Sequence, residues 1–295
     1  MNLQNIISEI ENVDPEVYDR LDSRRKVMKS FANLTGKLAL AAVPVALGSM
    51  LSKAYGQTVP TAVIDVLKFA LTLEQLEAAF YNAVVAAPGL NATLTGTSRA
   101  AFVKIRDDEN KHVAFLAGAI ASATGMPAPA APTFDLSGGN GSMTGFFSGA
   151  NSPLTNYAVA LAMAQTFEDT GVRAYKGQAG ALIPSNDFLE AALKIHSVEA
   201  RHAAKIRLMR RELGAAALAP TDLKPWINNA ESGIPAPFAD KVQASYDGEG
   251  VTTQAGVNIV GTFSGVTISA TAASAAFDEP LTKAQVLAIV DPFIA

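Results

Sequence analysis

Glu109-Asn110-Lys111-His112 and Glu199-Ala200-Arg201-His202 place a glutamate three residues before a histidine at two points in the chain. The chain has only three histidines, so two of the three take part in this spacing. Residues three apart lie on adjacent turns of one face of an α-helix. Each pair therefore directs a carboxylate and an imidazole toward one point.

A second repeat precedes each of these pairs. Glu74 and Tyr81 are seven residues apart, as are Glu168 and Tyr175. The two leading glutamates fall on the apolar side of segments with helical periodicity, where a polar residue is informative because it interrupts the hydrophobic stripe. The chain thus repeats one arrangement twice: an inward Glu-to-Tyr step followed by an inward Glu-x-x-His pair.

Four segments show apolar residues at three- and four-residue spacing, which predicts four long helices. They cover residues 60–88, 98–125, 152–180 and 185–214. Ser98 is the predicted N-cap of the second helix, Ser152 before Pro153 that of the third, and Ser185 or Asn186 that of the fourth.

Residues 125–152, between the second and third helices, are rich in Pro, Gly, Ala and Ser. So long a connection is unusual in a compact domain unless it has a task. Two helical hairpins joined by one long crossover require the second and third helices to run parallel. The predicted fold is therefore all-α, a four-helix bundle with a long crossover between its second and third helices.

Residues 215–295 have a different character, with several prolines followed by a stretch rich in Thr, Val and Gly. Alternation at Val257 and Ile259, and again at Val266 and Ile268, predicts a small β-hairpin. Residues 282–290 predict one short closing helix. We interpret this region as a small mixed appendage packed on the bundle.

The N-terminal residues 1–56 are interpreted as an export signal. Arg24-Arg25-Lys26-Val27-Met28-Lys29 is followed by an apolar run over residues 38–51, which is shorter than the ~20 residues that span a bilayer. The paired arginines resemble the twin-arginine signal of bacteria. The alternative is an amphipathic N-terminal helix that the mature protein retains. The signal interpretation implies a periplasmic or otherwise exported protein, the twin-arginine export machinery as a partner, and a bundle domain over residues 57–214.

Composition excludes several classes of protein. The chain has 295 residues, 49% of them hydrophobic, and a formal charge of −4 without a basic tract after the signal, so a nucleic-acid-binding protein is not expected. It has no cysteine, which excludes disulfides, thiolate nucleophiles and cysteine-ligated metal sites. A metal site would have to use oxygen and imidazole ligands.

Four ionised carboxylates in the core of a bundle would cost more than a domain's net stability unless their charge is neutralised. No lysine or arginine shares their inward positions, whereas two divalent metal ions would supply the opposite charge. Oxygen-rich ligation with one imidazole per ion suits iron or manganese, with another divalent metal as the alternative. A metal-free polar seam is the remaining interpretation. The six candidate ligands are Glu74, Glu109, His112, Glu168, Glu199 and His202.

The sequence resembles ferritin-like proteins over roughly residues 58–214, and Thr72-Leu73-Glu74-Gln75-Leu76-Glu77-Ala78-Ala79-Phe80-Tyr81 is similar to the exported ferritin-like group that includes the plant desiccation-related proteins. The resemblance implies a di-metal carboxylate centre in which Glu109 and Glu199 bridge the two ions and the other four ligands are terminal. It also implies chemistry with dioxygen or hydrogen peroxide. Storage ferritins lack such a signal and tail, so mineral storage is not expected.

Four further residues are candidates for positions around these ligands. Glu77 follows Glu74 by one turn and is either a supporting or alternative ligand or part of a salt bridge at the rim. His196 either donates a hydrogen bond to Glu199 or is a surface or satisfied core histidine. Tyr81 and Tyr175 either donate hydrogen bonds to ligand carboxylates or simply pack in the core.

The expected function is a dinuclear iron or manganese centre that reacts with dioxygen or hydrogen peroxide, either ferroxidase-like or peroxide-removing in the manner of a manganese catalase. No catalytic residue beyond the metal ligands is predicted. The alternative is a stress- or desiccation-protective structural protein whose metal site only stabilises the bundle. A homo-oligomer is compatible with either function.

Overall fold

The computed structural model describes residues 59–220, 222–263 and 265–295. The export signal predicted for residues 1–56 lies outside the described residues. Within the described ranges, no helix has the combination of length and apolar character that crossing a membrane requires.

Four long helices form the body of the molecule: α1 (Thr61–Ala86), α2 (Gly96–Thr124), α3 (Tyr157–Gln178) and α4 (Asn186–Leu213). Helix α1 packs along α2, and α3 packs along α4, so the chain builds two hairpins. Their apolar faces meet in one core that includes Phe80, Phe102 and Leu161. The predicted all-α bundle is confirmed.

Side-chain pairing fixes the direction of the helices. Tyr81 of α1 lies opposite Glu168 of α3, whereas Glu74 of α1 lies opposite Tyr175 of α3. Positions increase along α1 as they decrease along α3, so these two helices are antiparallel. Because α2 runs antiparallel to α1 in its hairpin, α2 and α3 are parallel, and the long crossover is required by the topology.

Two predicted helix starts are wrong. Helix α2 begins at Gly96, with Thr95 as N-cap, and Ser98 lies in its first turn. Helix α3 begins at Tyr157, where the Asn156 side chain accepts the N–H groups of Ala158 and Val159, while Ser152 belongs to a preceding turn. Asparagine and serine are comparable caps, so local sequence could not choose between them. Helix α4 has Ser185 as its N-cap, one of the two predicted positions.

The crossover is held by the C-terminal end of the chain. The backbone N–H of Asp135 donates to the carbonyl of Phe293 at 2.8 Å, and that of Ala295 donates to Thr133 at 2.9 Å. The buried Asp135 carboxylate accepts the backbone N–H groups of Ser137 and of two residues farther along the same loop. These bonds order a segment that has no periodic pattern of its own.

The described residues after α4 form three short helices and two pairs of short antiparallel strands rather than the single predicted hairpin. The helices are α5 (Ala239–Val242), α6 (Ala270–Ser274) and α7 (Lys283–Val290), and the strands are β1 (Thr253–Gln254), β2 (Val257–Asn258), β3 (Gly261–Phe263) and β4 (Val266–Ile268). Strand β1 pairs with β2, and β3 pairs with β4. Helix α7 is the predicted closing helix, with a capping box between Thr282 and Gln285.

Single 3₁₀ turns occur at Pro88–Leu90, Gly149–Asn151, Ala179–Leu182, Gly214–Ala217, Gln243–Ser245 and Asp291–Phe293.

Buried arginines join the tail to the bundle. Arg207 of α4 forms a two-point ion pair with Asp169 of α3, at 2.6 and 3.1 Å, and Tyr246 of the tail donates to the same carboxylate at 2.9 Å. Arg173 of α3 pairs with Glu249 at 2.5 Å and donates to tail carbonyls. The tail therefore covers the outer face of α3, whose residues from Val159 to Tyr175 are all buried.

We predict that Asp169→Asn lowers the free energy of unfolding by about 3–5 kcal/mol, because it leaves the buried Arg207 guanidinium without its counter-charge. Denaturant unfolding followed by circular dichroism measures the loss. The matched control is Lys194→Gln, which removes an exposed ion pair with Glu190 and is expected to change the value by less than about 0.5 kcal/mol. Equal effects of the two substitutions would contradict the buried pair's role.

Candidate metal centre

The six predicted ligands lie together at the centre of the bundle. Two overlapping groups of side chains each have ligand atoms within 4.8 Å of one another: Glu74, Glu109, His112 and Glu199 in the first, and Glu109, Glu168, Glu199 and His202 in the second. Glu109 and Glu199 are the two members common to both groups. Each group could hold a metal ion, and the two groups share two carboxylates.

His112 is at the middle of the first group. Its Nδ1 atom lies 3.0 Å from Glu74 Oε2, 3.0 Å from Glu109 Oε2 and 3.3 Å from Glu199 Oε1. Three carboxylate oxygens around one imidazole nitrogen exceed what a single N–H can serve with good geometry. These atoms share one small volume in which a cation would contact all four of them.

His202 occupies the corresponding place in the second group. Its Nδ1 atom lies 2.8 Å from Glu109 Oε1 and 3.3 Å from Glu168 Oε2. The rings of His112 and His202 are nearly parallel, with centroids 6.4 Å apart. Both imidazoles thus face the carboxylates through Nδ1, as a repeat of one arrangement requires.

Several of these inward-facing atoms make no hydrogen bond of good geometry among the described residues, although some of them lie close to one another. They are Glu109 Oε1, Glu168 Oε2, both carboxylate oxygens of Glu199, and His202 Nδ1. A buried polar atom left without a partner costs about 1–3 kcal/mol, so five in one place require an explanation. Metal coordination would satisfy all five atoms at once, and the donor set of carboxylate oxygen and imidazole nitrogen fits a divalent cation.

Burial and mutual repulsion dominate the electrostatics of the carboxyl groups. Desolvation, followed by the nearby negative charge, raises the pKa of Glu199 and of Glu77 well above the usual range of a glutamate. Burial also acts to raise the pKa of Glu109, but the adjacent imidazoles of His112 and His202 lower it instead. The same carboxylates raise the pKa of His112 and His202, although burial opposes this. Protons thus supply the counter-charge when metal ions do not.

Tyrosines connect the two hairpins crosswise. Tyr81 of α1 donates to Glu168 Oε1 of α3 at 2.5 Å, and Tyr175 of α3 donates to Glu74 Oε1 of α1. Each phenol binds one oxygen of a carboxylate whose other oxygen belongs to a candidate cation position. Of the two interpretations that the sequence allowed, the structure shows the hydrogen bond to a carboxylate in both cases.

Glu77 lies beside the cluster, and Gly171 makes room for it. Glu77 is buried, and the nearby charges that raise its pKa include Glu199 and Glu168. A Cβ atom at Gly171 would stand 3.0 Å from Glu199 Oε2 and 3.3 Å from Glu77 Oε1. Gly171 occupies the position of α3 that corresponds to Glu77 of α1, and its lack of a side chain gives space to two carboxylates. Because Glu77 is buried beside the cluster, the alternative of a salt bridge at the rim is wrong.

Among the described residues, His196 makes its hydrogen bond with the backbone of α3 and none with Glu199. Its Nδ1 lies 3.0 Å from the carbonyl oxygen of Val172, and the residue is half-buried between α3 and α4. A hydrogen bond from His196 to a ligand carboxylate is therefore wrong, and the alternative of a satisfied structural histidine describes it.

Sequence reasoning missed Asp108. Its Oδ2 atom lies 3.5 Å from His202 Nε2, on the side of the ring that faces away from the cluster, and its carboxylate also pairs with Lys104 and Lys111. A carboxylate on the outer nitrogen of a metal-binding histidine fixes the orientation of the ring. In the sequence, Asp108 stands directly before Glu109, whereas the corresponding position of the second repeat is Val198. The repeat therefore gave no signal for Asp108 beyond its place next to a predicted ligand.

We predict opposite effects for two glycine-to-alanine substitutions in long helices. Gly118→Ala in α2 meets open space and is expected to raise the free energy of unfolding by about 0.5–1 kcal/mol through helix propensity. Gly171→Ala is expected to lower the free energy of unfolding by about 1–3 kcal/mol despite its better helix propensity, because its methyl group crowds two buried carboxylates. Denaturant unfolding of both variants is the measurement; a stabilised Gly171→Ala would show that the site is looser than described.

Comparison with protein families supports the four-helix fold and the position of the carboxylate and histidine cluster within it. The model of the ferritin-like domain matches residues 62–212, about half of the chain, and this range contains α1 to α4 almost entirely. No curated protein and no solved structure matches the chain. All six residues of the two groups fall inside the matched range. The chain therefore belongs to the ferritin-like domain family.

Proposed function

We propose that this protein binds two divalent metal ions, iron or manganese, in the buried cluster and reacts there with dioxygen or hydrogen peroxide. The observation that carries the proposal is the overlap of the two groups in Glu109 and Glu199. Two separate sites would not need common members, whereas a dinuclear centre does, because bridging ligands hold its ions close together.

Different residues would bind the two ions, apart from the two shared carboxylates. Glu74 and His112 belong to the first position alone, and Glu168 and His202 to the second alone. This division supports the assignment of Glu109 and Glu199 as bridging ligands. Four carboxylates then carry four negative charges against the four positive charges of two divalent ions. Oxygen-rich ligation with one imidazole for each ion favours iron or manganese over copper.

Metal ions bound here would supply the redox change that the side chains cannot make. The protein contributes position and dryness: Glu109, Glu168 and Glu199 are 0% exposed, so little water reaches the carboxylates. Tyr81 and Tyr175 hold the outer carboxylates in one orientation through their hydrogen bonds. Asp108 holds the ring of His202 from the opposite side.

Two kinds of activity fit this centre, and a structural role is the rival proposal. A ferroxidase-like protein would oxidise Fe(II) with dioxygen, while a protein similar to manganese catalase would remove hydrogen peroxide. In a stress- or desiccation-protective protein, the same ligands would bind metal only to stabilise the bundle. Binding and turnover must therefore be measured separately.

We predict two metal ions per chain, bound by the bridging carboxylates. Metal analysis of the protein from its native compartment measures stoichiometry, and stopped-flow mixing of the anaerobic Fe(II)-loaded or Mn(II)-loaded protein with dioxygen or hydrogen peroxide measures turnover. Glu109→Gln combined with Glu199→Gln is expected to abolish binding of both ions. The control Glu212→Gln, an exposed glutamate at the end of α4, is expected to retain both.

The outcomes separate the candidate functions. Two ions with rapid turnover support the enzyme, and two ions without turnover support the structural protein. A wild-type chain that binds no metal, or a double variant that still binds two ions, contradicts the proposed centre. The isosteric substitutions remove negative charge from the core, so circular dichroism is expected to show an intact bundle.

We further propose that the protein is exported in folded form by the twin-arginine route, on the basis of the sequence of residues 24–51. Replacing Arg24 and Arg25 together by lysine is expected to keep the protein in the cytoplasm, because the pathway recognises the paired arginines. Cell fractionation followed by immunoblotting measures this in a bacterial host. The matched control Arg20→Lys, outside the pair, is expected to be exported normally; export of the double variant would contradict the proposed route.

A further inference from the structure

A groove between α2 and α4 leads from the protein surface to the histidine side of the cluster. It has a volume of about 500 Å³, and its lining includes the side chains of both His112 and His202. This volume lies in the range of small-molecule sites. The groove therefore offers room for a ligand directly beside the proposed metal centre.

The histidines are the part of the cluster that solvent can reach. The side chains of His112 and His202 are 11% and 9% exposed, whereas those of Glu74, Glu109 and Glu199 are at most 1% exposed. A molecule in the groove thus meets imidazole edges and Asp108 first. It approaches the carboxylates only past these groups.

The walls of the groove are positively charged. The four basic residues of its lining are Lys104 and Lys111 from α2 and Arg201 and Lys205 from α4, against the single carboxylate of Asp108. Both lysines of α2 already pair with Asp108. Among the described residues, Arg201 and Lys205 form no ion pair, and both are exposed. The α4 wall therefore presents two cations without a counter-charge, and this is the observation that points to a ligand.

We propose that the groove binds the oxyanion group of a small molecule, a carboxylate or a phosphate, between Arg201 and Lys205. The inference rests on the proposed metal centre and identifies the class of molecule that reaches it. A guanidinium group presents paired donors that match the two oxygens of such an anion, and the neighbouring ammonium adds a point charge. The remainder of the molecule would lie along the groove toward His202.

This surface also repels free metal cations. A groove with four basic residues and one acidic residue lowers the local concentration of Fe(II) at the entrance. Ions bound at the proposed centre would then be resident cofactors rather than a cargo that enters through this opening. Of the activities considered above, the groove favours those in which the metals stay in place.

Isothermal titration calorimetry of the full chain with inorganic phosphate, and separately with acetate, tests the proposal. Metal-loaded and metal-free protein are titrated at low and at high salt, after metal content has been measured. Arg201→Gln combined with Lys205→Gln is expected to raise the Kd for the oxyanion by at least about fivefold, the size of one or two exposed ionic contacts. The control Arg211→Gln, an exposed arginine on the same helix outside the groove, is expected to leave the Kd unchanged.

Metal content and anion binding report on separate proposals. A chain with two metal ions that binds neither phosphate nor acetate, or whose binding weakens equally in Arg211→Gln, overturns the groove proposal alone. A chain that takes up no metal but binds phosphate through Arg201 and Lys205 overturns the metal centre and retains the anion site. All three substituted residues are exposed, so thermal unfolding is expected to match that of the wild type.

Discussion

The burial of four carboxylates around two imidazoles is the constraint on which the bundle depends. Glu109, Glu168 and Glu199 are inaccessible to solvent, and their charges repel one another at a separation of a few ångströms. The raised pKa values of Glu199, His112 and His202 favour protons in the core, which would offset this repulsion in the absence of metal. With metal, the same atoms would have cations to coordinate. Each helix carries a polar residue at an inward position because this charge balance allows it.

The internal repeat makes the two cation positions similar but not equivalent. The crossed pairs Tyr81 with Glu168 and Tyr175 with Glu74 are related by an approximate two-fold symmetry between the hairpins. The symmetry ends at Glu77, whose counterpart is Gly171. It also ends at Asp108, which contacts only His202 among the two histidines. Two metal ions here would therefore differ in electrostatic surroundings, a difference that a redox pair can use.

Periodicity placed the inward glutamates and histidines correctly because a helix converts spacing into direction, and a crossover of this length permits few topologies. Periodicity failed to predict features that depend on contacts between segments distant in the sequence. Local sequence offered two good caps for α3, and tertiary context selected Asn156. Arg207 was missed because helical patterns assign an arginine to the solvent side, whereas the tail brings Tyr246 to its partner Asp169. The acceptor of His196 on α3 was equally invisible, since it is a backbone carbonyl of another helix.

The position of the tail connects the fold with access to the site. Residues of the tail such as Tyr246 and Glu249 contact α3, whose residues from Val159 to Tyr175 are buried. An apolar cavity that reaches Tyr175 has only about 20 Å³, room for about one water-sized molecule. The groove between α2 and α4 is larger, at about 500 Å³, and its lining includes both histidines. The tail thus covers α3, whereas the groove between α2 and α4 stays open, and the basic residues of that groove would favour an anionic ligand beside the proposed centre.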